Sequence, residues 1–260
     1  MSNRAPGYKT IVGTIDTKYA NEVVDIFASL LIYAEDYARS IKLPDTLYED
    51  STIAINRQIL KDCPPNAIFL SFGDNDYYPL LYLQQHNGYR QDVYIVNYYQ
   101  LYTSQYIYMA TQPRFKSSPI KLSVDSTLYI KEHNNYLRIK QTNKNISFDT
   151  VIETIRKGIK NHNNEIEIQD NRFILPMRIQ SGATNSIKTD STLAINMNAR
   201  LTIDHKVLYR NEWILLDIIY NLGDRSLCAL NGFDSPLKDL NDFFTSRGKV
   251  NVLKTSFSSD

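Results

Sequence analysis

Two aspartates flank an asparagine directly after a glycine, at Gly73-Asp74-Asn75-Asp76, and this block is the strongest chemical signal in the chain. Asp74 and Asp76 are candidate ligands for a hard divalent cation such as Mn²⁺ or Mg²⁺, because such cations prefer carboxylate oxygens. The same side chains are also suited to hydrogen-bond the hydroxyl groups of a sugar. A structural role stays open, since an aspartate three residues before Pro79 is a common helix cap and Gly-Asp-Asn is common in turns.

Apolar runs on both sides of this block predict the elements that position it. A buried strand is expected at Ala67 to Phe72, a polar loop at the block itself, a helix up to Asn87-Gly88, and a second strand at Val93 to Val96. Such a unit is right-handed, its strands are parallel, and ligands bind at the carboxyl ends of such strands. The predicted binding site therefore consists of the residues that follow the two strands: Gly73, Asp74, Asn75, Asp76, Tyr77, Asn97 and Tyr98.

Composition and motif content exclude several functional classes. A net charge of +1 with scattered lysines and arginines gives no case for nucleic-acid binding. No G-x-S-x-G, H-E-x-x-H, glycine-rich phosphate loop or Cys-His arrangement is present, so no standard catalytic motif is found. No apolar window reaches the roughly 18 residues of a membrane-spanning helix.

Arg90 and Asp92 precede the second strand and are expected to form a structural ion pair.

The chain contains 19 tyrosines. Codon usage in an AT-rich genome explains most of this excess, but a tyrosine-lined surface for sugars or peptides stays open because the ring offers an apolar face and a polar tip. The tyrosines that cluster near the block are Tyr77, Tyr78, Tyr82, Tyr89, Tyr94, Tyr98 and Tyr99.

Only two cysteines are present, Cys63 and Cys228, which is too few for a disulfide framework or a cysteine-based metal site. A single bridge between them stays open. Two buried free thiols are the expectation, because each cysteine is set among apolar residues.

Periodicity and turn signals predict an α/β fold, with a mostly parallel sheet flanked by helices. Helices are expected at 17–43, at 48–62 with Ile55 and Ile59 inward, and at 103–111, 147–158, 208–221 and 235–247. The last of these would begin at Ser235-Pro236 and stop at Gly248. Further strands or extended segments are expected at 120–124, 127–130, 136–139, 172–179, 227–230 and 250–253. We expect one domain over 1–260, and a smaller second lobe with a boundary near 160–171 stays open.

Four short patterns occur in order between Cys63 and Asn97: C-x-P-N-A-I, G-D-N-D-x-x-P-L-x-Y-x-Q, R-x-D-V, and a final asparagine. This segment resembles the soluble C-terminal region of a family of multi-spanning membrane proteins, abundant in Bacteroidetes, that are protein O-mannosyltransferase-like. A fainter likeness extends over 48–255. There Asn221 and Arg225 match, while the tryptophan, proline and aromatic residues of the family's strand are absent.

The resemblance implies that the transfer chemistry lies in a membrane-embedded part that this chain lacks. It also implies a periplasmic or cell-envelope location and a glycan, an acceptor peptide or an envelope protein as partner. The first residues lack the apolar core of a signal peptide, which predicts a cytoplasmic location unless an export signal has been removed.

Two functional hypotheses follow. The first is a non-catalytic binding or accessory domain whose Gly73–Asp76 block contacts the partner, with no cofactor. The second is a metal-dependent nucleotide-sugar glycosyltransferase in which Asp74-x-Asp76 holds Mn²⁺ or Mg²⁺ against a diphosphate. It ranks lower, because no base or phosphate-binding lysine lies near the block in the sequence. A purely structural role for the block is a third reading.

Overall fold

The computed structural model describes residues 9–10, 13–130, 135–158, 160–180, 194–232 and 237–253. Eight α-helices lie within these residues: α1 Ile15–Tyr33, α2 Glu35–Ser40, α3 Asp50–Asp62, α4 Asp74–Asn87, α5 Ser104–Ala110, α6 Ser126–Ile130, α7 Phe148–Lys157 and α8 Arg210–Tyr220. Short 3₁₀ segments occur at Tyr99–Tyr102 and Lys238–Phe243.

The strands of the described residues form one short hairpin and three mixed sheets. They are β1 Lys9–Thr10, β2 Gly13–Thr14, β3 Ile68–Ser71, β4 Tyr94–Asn97, β5 Tyr136–Ile139, β6 Asn145–Ser147, β7 Glu167–Ile168, β8 Arg172–Gln180, β9 Ala194–Thr202, β10 Val207–Tyr209, β11 Leu227–Leu230, β12 Phe244–Arg247 and β13 Val250–Leu253. The hairpin is β1-β2, and the sheets have the orders β10-β5-β7, β6-β8-β9 and β12-β13-β11-β3-β4.

The five-stranded sheet carries the predicted site. β3 pairs in parallel with both β11 and β4, and Ser71 lies opposite Asn97. β13 is antiparallel to β11 and to β12. The α/β class is therefore confirmed, but the sheet is mixed and the expectation of a mostly parallel sheet is not met. The difference arises from β12 and β13, which enter the sheet as a hairpin and therefore run in opposite directions.

That hairpin corrects the predicted last helix. Phe244–Arg247 is a strand, and Gly248 (φ +60°) makes the turn into β13 instead of stopping a helix. The predicted start at Ser235-Pro236 lies outside the described residues. A glycine with positive φ serves a helix end and a hairpin equally well, so the local sequence does not distinguish them.

The remaining helix predictions are partly confirmed. α7 begins after Ser147, whose side chain accepts the Thr150 N–H at 3.2 Å, and ends at Gly158 as predicted. The helix expected at 17–43 is instead interrupted at Ala34 and gives α1 and α2. The segment 127–130, expected to be extended, lies in α6. In α3 Ile59 is buried as predicted, but Ile55 is 57% exposed.

Helix α4 is surrounded by protein. Residues Tyr77 to Gln84 are all buried, because α4 packs between α1 and α3 while its neighbouring strands β3 and β4 lie in the sheet core. A helix that is enclosed on all sides is fixed in direction by its neighbours. The position of its first turn is therefore set by the core.

A lobe boundary near 160–171 stays a prediction.

Candidate functional site

The Gly73–Asp76 block is the start of a helix and not a loop. β3 ends at Ser71, and α4 begins at Asp74 with Gly73 as its N-cap. Gly73 adopts φ +123°, and a Cβ at this position would contact nothing within 4 Å. The glycine is therefore required by the backbone conformation and not by crowding. The N-cap residue Gly73 makes no side-chain hydrogen bond, so a capping role for an aspartate stays open only within the first turn.

The two aspartates of the block point to different surroundings. Asp74 is exposed and lies near α1. Partial loss of hydration at the start of α4 raises the pKa of Asp74, as do the negative charges of Asp25 and Glu22, while the positive charge of Lys18 lowers it. Burial also raises the pKa of Asp76, and a hydrogen bond from the backbone N–H of Phe72 opposes that shift. Asp76 therefore helps to hold the start of α4 from within its first turn, as acidic residues at this position do.

Asn75 is held by residues distant in the sequence. Its Oδ1 accepts a hydrogen bond of 2.8 Å from Nδ2 of Asn21 on α1. The Oδ1 of Asn21 in turn accepts one of 2.9 Å from the hydroxyl of Tyr48. Asn21 and Tyr48 are both buried, so this chain of hydrogen bonds fixes the orientation of the exposed Asn75.

The other predicted site residues lie in the core. Tyr77 is 0%, Asn97 2% and Tyr98 4% exposed. Tyr77 accepts a hydrogen bond of 3.0 Å from the buried guanidinium of Arg114, and the backbone N–H of Asn97 donates to Tyr106 at 2.7 Å. Ligand contact by these three residues stays a prediction, but their contacts are those of core residues. Only Gly73 to Asp76 reach the surface.

The clustered tyrosines also belong mostly to the core. Of the seven tyrosines for which a binding surface was left open, Tyr99 is well exposed and Tyr89 partly exposed. The others are buried: Tyr77, Tyr78, Tyr82, Tyr94 and Tyr98. Their hydroxyls bond to protein groups, for example Tyr82 to the carbonyl of Pro44 at 2.8 Å. The reading of this cluster as a binding surface is therefore wrong for most of its members.

An open cleft of about 800 Å³ lies at the carboxyl ends of β3 and β11 and includes two residues of the block. We call it the β3–β11 cleft. Helix α3 forms one wall and the β12–β13 turn forms the other. The first turn of α4 and the carboxyl end of β11 form the floor. Its lining residues are Ile55, Asn56, Gln58, Ile59, Asp62, Asn75, Asp76, Leu230, Asn231, Gly248 and Lys249. The cleft therefore occupies the position at which ligands bind in open α/β sheets.

A comparison with protein-family models finds a match to TMEM260-associated domain 2 over residues 52–254. The chain belongs to this family. The match includes nearly all of α3 and every strand of the five-stranded sheet, so the whole β3–β11 cleft lies within the family's domain. It excludes α1, which carries Asn21, as well as α2 and Tyr48, which lies between α2 and α3. No curated protein and no solved structure matches the chain.

Within the family's domain, the β12–β13 turn is fixed to α3 by one carboxylate. Asp62, the last residue of α3, accepts the backbone N–H of Lys249 at 2.7 Å and Nε2 of Gln58 at 2.7 Å. Asn231 at the end of β11 donates to the carbonyl of Gly248. No local sequence pattern marks Asp62, Asn231 or Lys249 as site residues, because their proximity results from sheet pairing between segments far apart in the chain.

A shared metal ion between Asp74 and Asp76 does not fit this geometry. Residues two apart on an α-helix do not face each other. Asp74 is close to the charges of α1, whereas Asp76 lines the cleft. Among the residues that the structure describes, no group of three or more His, Cys, Asp or Glu side chains is arranged to hold a metal ion.

Two further predictions concern the surroundings of the site. Arg90 and Asp92 form the expected ion pair, with Nε and Oδ1 2.8 Å apart. Nη1 of Arg90 also donates to the carbonyls of Leu60 and Cys63 at the end of α3. No helix among the described residues has the length and apolar content needed to cross a membrane.

Proposed function

We propose that this chain is a non-catalytic accessory domain that binds a glycan in the β3–β11 cleft, with Asn75 and Asp76 as recognition groups. The observation that carries the proposal is the presence of these two residues in a cleft at the carboxyl ends of parallel strands. Membership of the TMEM260-associated family supports an accessory role.

The chemistry of the cleft suits a ligand rich in hydroxyl groups. Side-chain amides line it at Asn56, Gln58, Asn75 and Asn231, and an amide both donates and accepts hydrogen bonds. The carboxylate of Asp76 accepts strong hydrogen bonds from hydroxyls. The exposed side chain of Ile55 offers an apolar surface for the C–H face of a sugar ring. A sugar presents these two kinds of surface together.

The glycosyltransferase alternative is less well supported. It requires Asp74 and Asp76 to hold one metal ion, and the two carboxylates are directed to different parts of the surface. We therefore derive no catalytic step from them. The resemblance to O-mannosyltransferase-like membrane proteins supports a transfer reaction carried out by another part of such proteins. It also supports a periplasmic or cell-envelope location and a glycan, an acceptor peptide or an envelope protein as partner.

Binding of mannose-containing glycans, acceptor peptides and mannosylated acceptor peptides should be measured by protein NMR titration or calorimetry. The test variants are Asn75→Ala and Asp76→Asn, and Asp74→Asn is the matched control on the same helix turn. Loss of one charge-assisted hydrogen bond, about 1.5–3 kcal/mol, corresponds to roughly 10- to 100-fold weaker binding. We expect this loss for Asp76→Asn and a change of less than about 2-fold for Asp74→Asn.

The outcomes separate the hypotheses. Binding that is weakened by Asp76→Asn, spared by Asp74→Asn and insensitive to EDTA supports the glycan cleft. Binding of peptides regardless of mannosylation would replace the glycan with a peptide ligand. Thermal stabilisation by Mn²⁺ with a nucleotide sugar, abolished equally by both aspartate variants, would overturn the proposal in favour of the metal-dependent enzyme. Absence of binding to any of these ligands would also overturn it.

A further inference from the structure

Arg114 is a buried cation whose partners are all neutral. It is 4% exposed, and none of the ion pairs among the described residues includes it. Its Nη1 donates to the hydroxyl of Tyr77 at 3.0 Å and to the carbonyl of Ile95 at 3.3 Å. The ring centroid of Tyr94 lies 5.2 Å from its Cζ. A buried charge without a counter-ion is costly, so this guanidinium is suited to accept an anion.

One edge of the guanidinium lacks a strong acceptor. Nε and Nη2 form the fork that binds a carboxylate through two parallel hydrogen bonds. Arg90 uses this edge in that way, with Nε and Nη2 at 2.8 and 2.9 Å from the two carboxylate oxygens of Asp92. In Arg114, Nε has no hydrogen-bond partner among the described residues, and Nη2 donates to the Sδ of Met109. A thioether is a weak acceptor, so a carboxylate would bind this edge more strongly than the sulfur does.

Arg114 and Met109 both line a pocket of about 240 Å³ between the end of α1 and the end of α5. Apart from Gln112, the other side chains that line it are largely apolar: Leu31, Ile32, Tyr108 and Pro113. The residue that occupies the free edge of the guanidinium is therefore itself part of the pocket wall. Methionine is unbranched and adapts its conformation easily, so it is a replaceable partner.

A second pocket, of about 250 Å³, continues the first toward the start of α5. It shares Ile32 and Tyr108 with the first pocket and adds Tyr33, Ser104 and Gln105. We call the two pockets together the α1–α5 groove, and its size falls within the roughly 300–1,000 Å³ of small-molecule sites. The groove shares no lining residue with the β3–β11 cleft.

We propose that the α1–α5 groove binds a carboxylate that carries a short apolar chain, with the carboxylate on Arg114 and the chain along Ile32 and Tyr108. The Met109 side chain turns aside, and the two carboxylate oxygens accept hydrogen bonds from Nε and Nη2 of Arg114. The buried charge selects an anionic head group, and the apolar walls select the chain. A free medium-chain acid and the C-terminus of an apolar peptide share this chemistry. The inference does not depend on which ligand the β3–β11 cleft binds.

The first test is an NMR titration of the full chain with octanoate, with octanol and octylamine as controls of equal chain length. We expect octanoate to shift the signals of residues 104–114. Loss of a hydrogen bond to a charged group corresponds to roughly 10- to 100-fold weaker binding, which we expect for octanol. Each methylene removed from octanoate should weaken binding by roughly 4-fold. Equal affinities for octanoate and octanol would overturn the proposal, as would absence of octanoate binding.

Variants test the two ends of the groove separately. Arg114→Met removes the charge and should weaken octanoate binding by roughly 10- to 100-fold while sparing octanol binding. Met109→Ala removes the competing thioether and should bind octanoate more tightly. Tyr108→Ala should weaken octanoate binding by roughly 4-fold or more, the effect of one buried methylene. Its matched control is Tyr37→Ala on α2, another exposed tyrosine, which should leave binding unchanged.

These variants keep the proposal falsifiable even if Arg114→Met does not fold. Weaker octanoate binding by Met109→Ala would overturn it, and so would equal affinities in Tyr108→Ala and Tyr37→Ala.

A peptide titration distinguishes the two sources of the carboxylate. The probes are an acetylated Leu-Val dipeptide with a free C-terminal carboxylate and the same dipeptide with a C-terminal amide. Tighter binding of the peptide acid than of octanoate identifies a chain terminus as the ligand, and tighter binding of octanoate identifies a free acid. Equal binding of the peptide acid and the peptide amide would contradict the role of Arg114.

Discussion

Replacing Gly248 with alanine tests how the β12–β13 turn is held against α3. Gly248 has φ +60°, and an added Cβ would lie 2.6 Å from Cγ of Asp62 and still closer to its Oδ2. Gly158 has φ +59°, and its added Cβ would contact nothing within 4 Å. The two glycines therefore share the same backbone cost on substitution and differ only in crowding.

The magnitudes follow from this pair. A left-handed conformation costs a non-glycine residue about 1–2 kcal/mol. The free energy of unfolding of Gly158→Ala should therefore fall by only this amount. In Gly248→Ala the Asp62 carboxylate must also move away from the N–H of Lys249 and from Gln58, each now at 2.7 Å. Hydrogen bonds to charged groups contribute about 1.5–3 kcal/mol, and the lower end applies because Asp62 is partly exposed. We expect a total loss of about 3 kcal/mol for Gly248→Ala.

The assay is urea denaturation of both variants in the wild-type and Asp62→Ala backgrounds, which forms a double-mutant cycle. Removing the Asp62 carboxylate should reduce the cost of Gly248→Ala to that of Gly158→Ala, within about 0.5 kcal/mol. Equal costs for the two glycine variants in the wild-type background would refute the reasoning. A difference that persists without the carboxylate would refute it as well.

Three further predictions concern polar groups that are buried or partly buried. Asp217 accepts the Ser123 N–H at 2.9 Å, and burial raises its pKa from 3.8 to about 6. Because the folded state then binds the proton more tightly than the unfolded state, the free energy of unfolding should fall by up to about 3 kcal/mol as the pH rises from 4 to 6. Urea titrations at each pH measure this decline. The Asp217→Asn variant should lack it. The Arg90→Ala variant should have a free energy of unfolding lower by about 3 kcal/mol. The Arg90→Lys variant should recover less than half of this loss, because lysine lacks the planar guanidinium. Full recovery by lysine would contradict this. Tyr77→Phe removes an acceptor from the buried Arg114 and should cost about 2 kcal/mol in the same assay; a cost below about 0.5 kcal/mol would contradict it.

The parts of the fold that the sequence predicted well depend on local signals. Ser147 and Gly158 mark both ends of α7 through their own side-chain and backbone preferences. The two apolar runs around the Gly73–Asp76 block predict the neighbouring strands, and Ser71 does lie opposite Asn97. In each of these cases the information lies within a few residues of the element, or follows from the handedness of a single crossover.

The predictions that were wrong depend on distant partners. Gly248 makes a hairpin because β13 pairs with β11, and that pairing is not visible in the residues around Gly248. Ile55 is exposed because α3 buries Asn56 instead, whose Nδ2 donates to the carbonyl of Thr52 at 2.8 Å. The hydrogen bond from Asn21 to Asn75 joins α1 to α4 across 54 residues. Periodicity alone contains none of these contacts.

The two aspartates of the block are equivalent in the sequence but not in the structure. As a loop, Asp74-Asn75-Asp76 would allow both carboxylates to reach one ligand, and the metal hypothesis depends on that conformation. As the first turn of α4, it directs Asp74 toward Glu22 and Asp25 on α1 and Asp76 into the β3–β11 cleft. The family match begins at residue 52, so the charged neighbours of Asp74 lie outside it, whereas every residue lining the cleft around Asp76 lies inside. We therefore expect any ligand contact that is common to the family to be made from the Asp76 side of the helix and not from Asp74.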